Sequence, residues 1–219
     1  MEQRPLSDSA TPPVNPPSGG IFRLIAGVTG ASGSIYGWRL LEKLRARPNV
    51  ELHLILSRAG ERTAFLETGK QAADFRALAD CWHPVEDISS PLASGSFRTD
   101  AMVIAPCSIH TMSSIAAGIS SNLMIRAADV TLKQRRPLVL MVRETPLHLG
   151  HLRSLAALAE MGAIIAPPVP AFYHRPQTVA ELVDDSVDRV LDLLGLAGPE
   201  VRRWEGPDKG PAKQPAGQE

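Results

Sequence analysis

Arg143 and Glu144 stand side by side directly after an apolar run, where two opposite charges would sit at the mouth of a sheet. An Arg guanidinium grips phosphate through two parallel N–H groups, and a carboxylate beside it can move a proton. As a mere rim ion pair the dipeptide would contribute little, so its place favours chemistry. Four more segments carry similar promise. Residues 27–34 (GVTGASGS) form a Gly-rich turn ahead of a helix, which suits an anion. A dinucleotide fingerprint would need Gly at 28, where Val28 stands, and an acidic residue where Ser57 ends the next apolar run. A mononucleotide such as FMN stays compatible. Ser108 and Thr111, in 105–111 (APCSIHT), offer hydroxyls at another helix start, with His110 read as a rim residue and Cys107 as structural. Arg126 and Asp129 are spaced as a helix-surface pair, while Arg126 and Lys133, seven apart, share a helix face that could meet an anion. In 167–176 (PPVPAFYHRP) four prolines stiffen a loop carrying Phe172, Tyr173, His174 and Arg175, in a chain with only 5% aromatic residues. A lid over a pocket, or packing against a neighbouring subunit, are both open. Taken alone, Arg189 reads as surface helix charge and Trp204 as a terminal anchor.

The elements that must position these groups follow from hydrophobic periodicity. Residues 21–26, 50–56, 101–105, 138–142 and 163–166 read as strands, the middle ones apolar on both faces. Residues 35–44, 149–161 and 178–194 read as helices, the second stopping at Gly162. This alternation predicts an α/β fold with a doubly wound parallel sheet in one domain. Ligands then bind beyond the carboxyl ends of the strands, where the five segments fall. Prolines crowd residues 1–20 and 206–219, which are expected to be mobile tails around a folded 21–205.

Composition excludes several classes. With 23 Lys+Arg against 23 Asp+Glu the net charge is zero, which removes the broad positive field of a nucleic-acid binder. No apolar run is long enough for a membrane span. The 2 cysteines, Cys81 and Cys107, form neither a disulfide framework nor a zinc site, so a reducing, cytoplasmic setting is expected.

Six stretches, TGASGSIYG at 29–37, LETG at 66–69, PCSIHT at 106–111, NLMIRAADVTLKQRRPLVL at 122–140, RETPLHLGHL at 143–152 and PPVPAFYHRPQT at 167–178, together resemble the UbiX/Pad family of flavin prenyltransferases. The resemblance covers 21–205 in order. It implies a flavodoxin-like fold and transfer of a dimethylallyl group from dimethylallyl phosphate to N5 and C6 of reduced FMN, without metal. The prenylated FMN would serve a UbiD-type decarboxylase, and the chain would assemble as a homo-oligomer, typically a dodecamer. By the same resemblance Gly30, Ala31, Ser32, Ser57, Ser108, Ile109, His110, Thr111 and Arg143 would hold FMN, with Ser32 near N5. Lys133, Glu144, Tyr173 and Arg189 would surround the prenyl phosphate, with Arg126 supplied by a neighbouring subunit. Glu67 matches a further active-site carboxylate and Trp204 an aromatic flanking the allylic group. Ile88, His110 and Gln134 depart from residues common in the family. Alternatives are an FMN-dependent decarboxylase of the cysteine-decarboxylase type, whose PASAN-type motif is not evident, or an FMN carrier, which needs no phosphate clamp.

Overall fold

Apolar seven-residue runs that alternate with amphipathic segments produce a parallel sheet covered on both faces. A computed structural model describes residues 20–198; the two expected tails, the end of the folded segment and Trp204 lie outside the described residues. Six strands, β1 Phe22–Val28, β2 Val50–Leu56, β3 Cys81–Pro84, β4 Ala101–Cys107, β5 Leu138–Val142 and β6 Ile164–Ile165, run in the order β3-β2-β1-β4-β5-β6. All five pairings are parallel. The chain reverses its direction of growth between β1 and β4, so the crevice beyond these two strands is the switch point where such sheets bind ligands.

Seven helices connect the strands: α1 Ser34–Arg45, α2 Arg58–Thr68, α3 Ala72–Ala77, α4 Ile109–Ala116, α5 Leu123–Lys133, α6 Leu149–Glu160 and α7 Val179–Leu193, with a 3₁₀ turn at Pro91–Ala93. One core lies under α1 and α7 and includes Phe22, Leu40, Leu41, Val187 and Leu191; the other lies under α4 and α5 around Ile55, Ile104, Met112 and Ile125. Alternate residues of β1 and β2 supply the two cores, as strand geometry requires. Helix α7 is fastened to α1 by Arg39–Asp184 at 2.5 Å and Lys43–Asp188 at 2.5 Å, the latter pair largely buried. Gly37 lets α1 press onto β4, for a Cβ there would run into the Ala105 carbonyl oxygen. Gly37→Ala is therefore expected to destabilise the fold by about 1–3 kcal/mol, read as a lower unfolding midpoint in urea.

The expected strands and the helices at 35–44, 149–161 and 178–194 are present, with β4 running on to Cys107 and β6 reduced to two residues. Strand β3 and helices α2 and α3 were not expected. The exposed edge strand β3, CWHP, has neither an apolar run nor clean alternation to announce it.

Candidate active site

The ends of β1, β2, β4 and β5 bring together most of the expected FMN residues. Thr29, buried at the end of β1, donates from Oγ1 to the Pro106 carbonyl at 2.7 Å and accepts the Ser108 N–H at 2.8 Å. This residue stitches the two strands of the switch point, a role that the Gly-rich pattern beside it conceals. Beyond Thr29, the turn Gly30–Gly33 packs on α2, where a Cβ at Gly30 would meet the Ala59 methyl at 2.6 Å. Ser57 begins α2 and accepts the Gly60 N–H at 3.0 Å. Ser108 begins α4 and accepts the Thr111 N–H at 3.3 Å. The Arg143 N–H bonds the Cys107 carbonyl at 3.1 Å, and its Cγ lies 4.0 Å from the Cβ position of Gly33. Arg143 and Glu144 are both exposed. Three helix starts, two serine hydroxyls and a guanidinium thus meet at one crevice. Ala31 is buried, Ser32 and His110 are exposed, and Ile109 packs partly into the second core.

Ser32 is not the cap of α1. Gly33 holds that position with φ 101, and the cap is supplied from α2 by Glu67. Its Oε2 accepts the N–H groups of Gly33 at 2.9 Å and Ser34 at 2.8 Å. Partial burial works against the charge of Glu67, but the Ser32 hydroxyl and these N–H groups outweigh it and hold the carboxyl below the ordinary range. A carboxylate lowered in this way stabilises the fold above the unfolded value near pH ~4.3 and loses that contribution as pH falls through the folded value. Glu67→Gln should accordingly cost about 0.3–1 kcal/mol at pH 7, with the gap to the wild type closing on acidification below pH ~4. Thermal unfolding at both pH values measures it.

The remaining expected residues fall in two groups. Tyr173 and Arg189 line a cavity of about 630 Å³ at the β5–β6 edge, with Met141, Ala166, Pro167 and His174. There Arg189 pairs with Asp192 at 2.8 Å, and the Tyr173 and His174 rings touch at 4.1 Å between centroids. Lys133 ends α5, whose following turn is tied to the amino end of the sheet: the Met102 N–H bonds the Pro137 carbonyl at 2.9 Å, and Arg136 donates to Gly95, Phe97 and Thr99. Within one chain Lys133 is therefore at the opposite end of the sheet from Arg143 and Glu144. Arg126, on the same helix, donates to Asp129 at 2.6 Å and to the Ala93 carbonyl at 3.2 Å.

The chemistry of the crevice fits a phosphorylated, ring-bearing ligand. Ser57, which accepts a helix N–H, keeps its own O–H to give to a phosphate oxygen, whereas the Ser108 O–H is turned towards Thr111 Oγ1 at 3.2 Å and would have to turn to meet a ligand. The Gly-rich turn admits a flat ring close to backbone. Cys107 is not a nucleophile, since burial pushes its thiol up to about 12. Among the described residues no three His, Cys, Asp or Glu side chains gather to hold a metal ion.

The sequence profile of the Flavoprotein family matches residues 16–191. The flavin prenyltransferase UbiX of Escherichia coli K12 is 53% identical over 186 residues, spanning 84% of this chain and 98% of the relative. The chain belongs to the UbiX family of flavin prenyltransferases. Among UbiX-like structures, the dodecameric FMN-dependent Ubix-like decarboxylase from Escherichia coli O157:H7 superposes with TM-score 0.83 at 49% identity, covering 84% of this chain and 100% of that one. AnUbiX (PadA1), solved with FMN and dimethylallyl pyrophosphate, superposes with TM-score 0.83 at 45% identity, covering 85% of this chain and 98% of that one. The six-stranded parallel sheet is thus the UbiX architecture.

Proposed function

We propose that the protein transfers the dimethylallyl group of dimethylallyl phosphate to reduced FMN, breaking the allylic C–O bond, releasing phosphate and joining the prenyl unit to N5 and C6. Reduced FMN supplies the nucleophilic atoms. The observation that carries the reading is the Arg143–Glu144 pair at the mouth of a crevice lined by three helix starts.

Gly30, Ala31 and the hydroxyls of Ser57, Ser108 and Thr111 bind and orient the flavin, with Ile109 and His110 at the helix start beside it and Arg143 on its phosphate or ring edge. Ser32, bonded to Glu67, presents a hydroxyl to N5. Tyr173 and Arg189 receive the leaving phosphate, joined by Lys133 and Arg126 from adjacent subunits. Negative charge grows on that phosphate as the C–O bond breaks, so fixed cations there lower the barrier. Positive charge grows on the allylic carbon, which an aromatic face such as Trp204 stabilises. Glu144 moves the proton that phosphate gains or the flavin loses.

The separation of Lys133 from Glu144 within one chain supports a site assembled between copies, and the dodecameric relative makes a dodecamer our reading here. A product of this kind serves a UbiD-type decarboxylase as its cofactor, and the free Cys81 and Cys107 suit a cytoplasmic setting. We further take 21–205 as the catalytic domain and the Pro-rich ends as tails. Phosphate release tests the reaction: dimethylallyl phosphate should be consumed only when reduced FMN is present. Release without flavin would indicate a phosphatase instead.

A further inference from the structure

A chain of polar side chains runs across the α5 face of the sheet, from β2 over β3 to the 3₁₀ turn. His53 of β2 is 3% exposed. Its Nε2 lies 2.9 Å from Glu51 Oε1, and its Nδ1 lies 3.0 Å from His83 Nε2 on β3. His83 Nδ1 in turn lies 2.8 Å from Ser90 Oγ. Arg23 donates to Glu51 at 2.9 Å and stacks over Phe97, whose ring also meets the edge of His53.

Glu51 is ionised: burial opposes its charge, but the bonds from Arg23 and His53 prevail and lower its pKa. An ionised carboxylate has no proton to give, which fixes the direction of every bond that follows. His53 donates from Nε2 and accepts at Nδ1. His83 donates from Nε2 and accepts at Nδ1, and the Ser90 hydroxyl donates to it. One neutral tautomer at each ring satisfies the whole chain.

The segment pinned by His83 and Ser90 is the seat of α5. Val85, two residues beyond His83, accepts the Leu123 N–H at 2.8 Å at the start of the helix. Ser90 caps the 3₁₀ turn by accepting the Leu92 N–H, and Leu92 is buried in the core beneath. Ala93, closing that turn, accepts Arg126 Nε. Beside the Asn122 side chain, which caps the helix by accepting the Ile125 N–H, two acceptors from elsewhere in the fold seat the first turn of α5, and both belong to 83–93.

We propose that His83 is a positioning residue for Arg126: donating to His53 and accepting from Ser90, it fixes the 83–93 segment on which the Arg126-bearing turn rests. The inference depends on Arg126 meeting the prenyl phosphate of an adjacent subunit.

The test uses the full chain with His83→Gln and His83→Leu, each alone and combined with Arg126→Ala. Gln offers an amide N–H towards His53 and a carbonyl oxygen towards Ser90; Leu offers neither. His83→Leu should raise KM for dimethylallyl phosphate roughly three- to tenfold with FMN affinity unchanged, and His83→Gln should stay within about twofold of wild type. In the Arg126→Ala background His83→Leu should add nothing. Should the Leu variant fail to assemble, Ser90→Ala carries the same expectation. An unchanged KM in Arg126→Ala would overturn the role of Arg126 and the proposal with it. Raised KM there, with His83→Leu silent or its effect multiplying that of Arg126→Ala, would overturn the positioning role alone. Solid-state NMR of labelled histidines reads the tautomers without any assay; Nε2–H is expected on both rings at pH 8, and Nδ1–H on His83 would contradict the relay.

Discussion

Glu144→Gln is expected to lower the turnover of dimethylallyl phosphate by about 10²–10⁴-fold while FMN still binds. The amide keeps the shape of the side chain and removes its capacity to carry a proton. Glu144 lies one residue beyond Arg143, whose backbone is anchored to Cys107, and its carboxylate accepts the N–H of Thr145 at 3.0 Å. It therefore stands at the crevice mouth, outside the set of Ser57, Ser108 and the Gly30–Gly33 turn that we propose to hold the flavin. Fluorescence titration with FMN beside single-turnover kinetics separates the two roles. Loss of flavin binding in the variant would make Glu144 a cofactor ligand and leave proton transfer to another group.

Complementation between subunits should show an equally large change. Lys133 and Glu144 belong to opposite ends of one sheet, so any site using both draws them from different copies. Lys133→Ala and Glu144→Gln assemblies should each be nearly inactive. Co-expressed at equal levels, they should regain activity in about a quarter of the sites, because a random mixture gives each site one intact donor of each kind that often. A Lys133 acting within its own chain would restore none. Size-exclusion chromatography of the mixture checks that both variants still assemble.

The sheet was legible because its central strands are covered on both faces and so are continuously apolar: Met102–Ile104 and Leu138–Val142 admit no other reading. The edge was not. Cys81–Pro84 carries His83 inward and Trp82 outward on a strand too short for a period, and Trp82 is held by Arg76 at 4.3 Å, a contact between segments no local pattern encodes. The crevice residues were legible by type and place, since Ser57, Ser108 and Arg143 each follow a strand directly. Two features of the site were not. The cap of α1 comes from Glu67, 34 residues along the chain from Gly33. The remoteness of Lys133 appears only once α5 is seen to run from Val85 back to the amino end of the sheet. Helical spacing puts Arg126 and Lys133 on one face but says nothing about which end of the sheet that face approaches.

Prenylation of reduced flavin in this crevice can be observed without any mutant. Anaerobic incubation with reduced FMN and dimethylallyl phosphate, followed by mass spectrometry of the released flavin, tests it directly. A flavin heavier by one C5H8 unit is expected, formed in step with phosphate. Flavin recovered at its original mass from folded, FMN-bound protein would contradict it.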